Sequence, residues 1–215
     1  HLNVFQSRHF DALLRTVYMA VVAGFLSTVF GILLSYYNKR RQIPGMQGVE
    51  FIGSLPYIIP GIFFGLAYIV VFHRGPIAMT GTLLILIINC TFRHISVGNK
   101  AANAAFENID KKLEWASYDL GTSKLRTMLT VIFPLIRPTF LVSFINAFTA
   151  CMTTVGPLML LVSPRNLVLS VLMHGEVNSG RYGQAAVMGV ALIIITFTVN
   201  LITIYFMTGE ERKVQ

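Results

Sequence analysis

The sequence predicts an all-α integral membrane protein: five membrane-spanning helices, with a helix-turn-helix between the third and fourth. Three observations carry this. Hydrophobic residues make up 54% of 215 and charged residues 12%, where ordinary soluble domains carry about a quarter charged. Five apolar stretches approach the ~20 residues that cross a bilayer. A charged amphipathic segment separates the third stretch from the fourth. At a mean hydropathy of +0.67, lipid is the solvent this chain needs. Residues 1–215 read as a single transmembrane domain.

The first span runs from Ala12 to Tyr37, with Arg15 close enough to its start to snorkel to the interface. The second, Phe51 to Phe72, carries Pro56 and Pro60, whose spacing predicts a kink. The third, Ile77 to Ile95, is shorter in pure hydrophobicity and ends at Arg93 and His94. The fourth, Val131 to Val162, is too long for one straight crossing and is interrupted at Gly156-Pro157. The fifth, Ala185 to Met207, holds one polar amide, Asn200. By these bounds no charge falls mid-span, which argues against an ion-coupled carrier. Asn89, Asn146 and Asn200 are expected to join helices.

Basic residues set the orientation. Eleven fall on one side: Lys39, Arg40 and Arg41, six more from Arg93 to Arg126, then Arg212 and Lys213. Four fall on the other: Arg8, Arg74, Arg165 and Arg181. The positive-inside rule makes the first side, with the C-terminus, cytoplasmic. Scattered through short loops, the net charge of +8 is no nucleic-acid stripe. Five spans with this topology place His1 outside, with no signal peptide before the first span. An upstream helix, or a larger polypeptide of which this is the C-terminal part, is therefore expected.

Cys90 and Cys151 lie in apolar stretches without CxxC spacing, and the histidines are dispersed, so no disulfide framework or metal site is expected. With no GxxxxGK[ST] phosphate loop, this chain does not itself hydrolyse ATP.

From Asn99 to Thr130 the pattern changes. Apolar residues recur at Ala102, Phe106, Ile109, Leu113, Ala116 and Leu120, the spacing of a one-sided helix. Gly121 ends it, Thr122 or Ser123 caps a second short helix, and Pro134 sits in the first turn of the fourth span. One face is expected to pack on the bundle and the other to meet a partner. A partner gripping this loop would transmit force through Pro134.

Leu113 to Gly121 followed by Val131-Ile-Phe-Pro134 resembles the EAA loop of binding-protein-dependent ABC importer permeases, the MetI-like transmembrane domain. The family pattern is Glu-Ala-Ala, three residues, Gly, nine residues, Ile, one residue, Leu-Pro. Aligned on Gly121 and Pro134, the triplet falls on Trp115, Ala116 and Ser117. Ala116, Gly121 and Pro134 match, Val131 takes the Ile place, and Leu120 and Glu114 match flanking residues. Trp115 departs from the usual glutamate, and Glu114 points about 100° around the helix. The resemblance implies a five-helix permease core in the bacterial inner membrane, paired with a second half as homodimer, heterodimer or fusion. It implies an ATPase dimer, carrying ATP and Mg, gripping Glu114 to Gly121 (Asp119 included), Val131 and Pro134, and a capture protein delivering solute outside.

Pro56, Pro60, Asn146, Thr153, Thr154, Gly156 and Pro157 are the candidates for the translocation path, because broken backbone at membrane depth is tolerated only in protein or along a cavity. Leu-Pro-Tyr-Ile-Ile-Pro-Gly61 and the Thr-Val-Gly-Pro-Leu-Met run look most like ferric-iron permeases, which often fuse two halves. Thiamine, phosphonate, polyamine, sulfate and molybdate permeases are the related alternatives. A channel or carrier, or a membrane scaffold with another docking partner, would be the readings from other classes.

Overall fold

The computed structural model describes residues 8–73 and 78–205 in full, with the backbone of Ser7 and 206–214. His1, Arg74 and Ile77, the expected start of the third span, lie outside the described residues, as do the side chains of Arg212 and Lys213. Among the described residues every regular element is helical. These are α1 (Ser7–Ser35, prolonged by a wide turn over Tyr36–Arg40), α2 (Met46–Ile58), α3 (Gly61–Phe72), α4 (Leu83–Asn108), α5 (Lys112–Asp119) and α6 (Lys124–Thr127). A second wide turn over Met128–Ile132 leads into α7 (Phe133–Thr153), followed by α8 (Gly156–Leu161), α9 (Leu169–Asn178) and α10 (Tyr182–Val214).

Three helical stretches are long and apolar enough to cross a membrane: Arg8–Arg40, Lys124–Thr153 and Tyr182–Tyr205. Several of their hydroxyls bond back to their own helices, as Thr16 does to the Ala12 carbonyl at 2.7 Å and Thr28 to the Gly24 carbonyl at 2.8 Å. The second predicted span is not one helix. Its halves, α2 and α3, meet at 108°, a far sharper break than a proline kink. The chain extends at Ile59 and Pro60, and Pro60 has no N–H to continue the helix.

The third predicted span does not stop at Ile95. Helix α4 runs unbroken from Leu83 to Asn108, so the apolar positions at Ala102 and Phe106 belong to it and not to a separate loop helix. Asn89, Arg93, His94 and Asn99 break its apolar run, which is why hydropathy ends the span early. The fourth predicted span begins upstream of Val131, and α7 stops at Thr153. Helix α9 occupies the expected loop before the fifth span.

Helices α1 and α4 run parallel. The pairs Ser35–Asn103 and Lys39–Glu107 share a sequence offset of 68, and Gly31 against Asn99 keeps it. A Cβ on Gly31 would lie 2.7 Å from the Asn99 nitrogen and the Ile95 oxygen, so these helices touch through backbone, as small residues allow in membranes. Helix α7 returns antiparallel, with Gly24 against Phe148. One core, around Met19, Leu86, Phe148, Met152 and Leu158, fills one end of the bundle. A second, around Ile32, Tyr36, Phe106, Ile132 and Ile136, fills the end that carries α5 and α6.

Candidate functional site

Helices α5 and α6 form an elbow. Helix α5 ends in a two-bond C-terminal turn, with the Gly121 N–H bonded to the Tyr118 carbonyl at 2.8 Å and the Thr122 N–H to the Ser117 carbonyl at 3.2 Å. This turn requires the left-handed backbone at Gly121, where φ is +78°. The Ser123 hydroxyl caps α6 by accepting from the Arg126 N–H at 3.3 Å. The hydroxyls of Ser117, Thr122 and Thr127 converge beneath, with Ser117 and Thr127 3.0 Å apart. The elbow is thus stitched by local hydrogen bonds.

What fixes it to the bundle comes from α1. The Arg40 side chain, 2% exposed, pairs with Glu114, 8% exposed, at 3.4 Å. Arg40 also donates to the Ile109 carbonyl at 2.7 Å, and its guanidinium lies 5.7 Å from the centre of the Phe106 ring. Arg41 donates to the Tyr118 hydroxyl at 2.9 Å. Two arginines counted in the sequence as orienting charges are therefore the anchors of the elbow. Glu50 of α2 adds a clamp at the same end, accepting from Asn99 at 2.6 Å and Asn103 at 2.7 Å, and also from Asn38.

The nine elbow residues singled out in the sequence do not share a face. Glu114 and Ser117 point inward and are buried, while Trp115, Ala116, Asp119, Leu120 and Gly121 are exposed. Trp115 is 61% exposed and Leu120 85% exposed, joined by Leu113 and Leu125 in an apolar outward face. Val131 lies inside the wide turn before α7. Pro134 is the second residue of α7, as expected, although the helical path into it continues from Lys124 through the wide turn. Lacking an N–H, it cannot bond the Thr130 carbonyl, which accounts for the wide turn there.

The path candidates separate into groups. Gly61 and Gly65, just after Pro60, pack on Pro157 where α3 meets α8: a Cβ on Gly61 would lie 2.8 Å from the Pro157 ring, and one on Gly65 2.8 Å from its carbonyl. Gly156 opens α8 after the extended Thr154. Thr153 and Thr154 turn their hydroxyls to the Thr149 and Ala150 carbonyls, and Ser170 bonds the freed Thr154 carbonyl at 2.9 Å. Pro56 lines an apolar groove of about 530 Å³ between α1, α2, α3 and α4. Asn146 is exposed on α7, apart from the breaks. Asn200 reaches Thr149 at 3.4 Å and so joins α10 to α7.

The sequence missed Arg93. It sits inside α4, which runs on to Asn108, and not at the end of a helix where the expected third span stops. Its Nη1 occupies the space that a Cβ on Gly61 would need, beside the Pro157 ring's contact with the same glycine. The run Arg93-His94 inside a hydrophobic stretch was the available signal.

The model of the binding-protein-dependent transport system inner membrane component family matches residues 27–215. The chain belongs to this family. Within it, the chain is 33% identical over 190 residues to a ferric transport system permease protein FbpB of Actinobacillus pleuropneumoniae, covering 88% of this chain and 28% of that one. A putative ferric transport permease of Haemophilus influenzae is 34% identical over 71% of this chain and 24% of its own length. The chain thus spans about a quarter of these curated relatives. A probable sulfate transport permease of Prototheca wickerhamii is 24% identical, over 86% of this chain and 77% of its own. The MetNI methionine ABC transporter shares the fold, with a TM-score of 0.72 at 15% identity over 95% of this chain and 99% of that chain. An alginate ABC transporter also gives 0.72 at 18% identity, over 94% of this chain and 79% of that one. Among the described residues, the permease family's all-helical architecture is present.

Proposed function

We propose that this permease domain forms half of the solute pathway of an ATP-driven importer, and that a separate cytoplasmic ATPase drives it through the α5–α6 elbow. One observation carries this reading. The outward face of the elbow is apolar and exposed at Trp115 and Leu120, while its inward face is bound to α1 and α4 by Arg40 and Glu114. A lever needs both: a grip for the partner and a stiff attachment to the membrane helices. The second half of the pathway is another permease domain, and an outer capture protein supplies the solute. The cargo is ferric iron, supported by the names of the relatives at 33% and 34% identity. Sulfate and aminoethylphosphonate permeases, at 24% identity, mark an oxyanion as the second reading, which Arg93 favours.

Co-purification with the cognate ATPase tests the coupling. Deleting Glu107 to Thr130 is expected to abolish ATPase association while the remaining helices still insert. ATPase binding that survives the deletion would sink the assignment. Gly121→Val is the finer test. No atom lies within 4 Å of the missing Cβ, so the effect comes from backbone alone, about 1–2 kcal/mol for an L-residue held left-handed. Insertion is expected to be intact and transport lost; wild-type uptake would show that this turn is not the lever.

A further inference from the structure

We propose that Arg93 is a binding station, halfway across the membrane, for a paired-oxygen anionic group on the transported solute: a carboxylate, phosphate or sulfate. The inference rests on the importer reading above. Its first support is depth. By the offset of 68 that relates α4 to α1, Arg93 stands level with Phe25, the middle of the span predicted from Ala12 to Tyr37. A charged side chain at that depth is costly and marks a solute path or a pairing site.

The second support is the missing counter-charge. Nη1 of Arg93 is buried and has no hydrogen-bond partner among the described residues. The acidic side chains lie elsewhere. Glu50, Glu107 and Glu114 are engaged at the elbow end, and Asp110 and Asp119 flank α5. Glu176 pairs with Arg181 beyond α9, Asp11 opens α1, and Glu210 and Glu211 close the sequence. Among the described residues, no carboxylate stands at the depth of Arg93.

The third is the place. The guanidinium rests against Gly61, which also packs on Pro157, where two interrupted helices meet at the α2–α3 bend and the start of α8. Irregular backbone at this depth is kept where it lines a cavity. A guanidinium presents a rigid fork of donors that fits two oxygens of one anion. It repels a bare trivalent cation about three times as strongly as a monovalent one. Among the described residues no three His, Cys, Asp or Glu side chains converge to hold a metal ion. A ferric cargo would therefore pass Arg93 as a complex that exposes anionic ligand oxygens, and an oxyanion cargo would pass directly.

The test uses the full permease polypeptide assembled with its ATPase and capture protein in liposomes. Uptake of radiolabelled iron supplied as ferric citrate, of sulfate and of phosphate is compared for wild type, Arg93→Gln and Arg93→Lys. Arg93→Gln is expected to lower uptake of the transported species at least about tenfold, the weight of a charge-assisted hydrogen bond, with ATPase association retained. Arg93→Lys, which keeps the charge without the fork, is expected to fall between. In detergent, citrate, sulfate or phosphate should raise the melting temperature of wild type above that in chloride at equal ionic strength, and not that of Arg93→Gln. Wild-type uptake by Arg93→Gln overturns the proposal alone. So does a wild-type protein that none of the three anions stabilises, the result expected if Arg93 instead pairs with a carboxylate of the second permease half. A wild-type assembly that neither binds ATPase nor takes up any of the three overturns the importer reading as well.

Discussion

Gly31→Val is expected to lose the folded bundle, with its melting temperature in detergent at least about 5 °C below wild type and less protein recovered from membranes. The reason is geometric. Any Cβ at residue 31 would stand 2.7 Å from two backbone atoms of α4 and 2.9 Å from the Gly98 carbonyl carbon. A crowded side-chain tip can rotate away, but helix backbone cannot, so α1 and α4 must separate along their whole parallel contact. Overpacking in a tight core usually costs about 1–3 kcal/mol, and this site has no soft neighbour to yield. Gly98 is the milder partner, its nearest contact being 3.3 Å, so Gly98→Ala should cost less. Gly48 has nothing within 4 Å and lies inside α2, so Gly48→Ala should be neutral or slightly stabilising through helix propensity. A Gly31→Val protein that melts with wild type would refute the backbone contact.

How much of this was legible depends on what each element answers to. Helices α1 and α10 answer to the bilayer, and continuous apolar runs announce them. The turn at Gly121 answers to local backbone geometry, which a glycine followed by Thr122 and Ser123 states plainly. Helix α4 answers to its neighbours. Its polar residues Asn89, His94 and Asn99 are buried and Arg93 is half-buried against other helices, where a hydropathy scan reads them as the end of a span. The helical spacing of Ala102 and Phe106 was visible, yet nothing local said that this helix continued the one before it. The bend at Pro60 was visible as a kink, but its angle is set by Gly61 and Gly65 packing on Pro157, nearly a hundred residues away. The same limit explains the elbow. Sequence alignment marked its residues but could not say that Glu114 faces inward while Trp115 faces out, because the partner that draws Glu114 inward is Arg40.

That partnership yields the second large effect. Arg40→Leu and Glu114→Leu are each expected to destabilise the elbow by about 3–5 kcal/mol, because each leaves a buried charge without its counter-charge. Both side chains are nearly inaccessible, at 2% and 8%, so water cannot take the place of the missing partner. Replacing both residues with leucine removes the two charges together, and the double variant should recover most of the loss. Arg40 also holds the Ile109 carbonyl and the Phe106 ring, so its single replacement should be the worse of the two. The readouts are ATPase association and hydrogen exchange of the α5 amides, which report whether the elbow is still held against α1. If the two single losses simply add in the double variant, the pair is not coupled. The elbow would then be anchored by the Arg41–Tyr118 contact and the Ser117–Thr127 hydroxyls, and force from a partner would reach α7 without passing through α1.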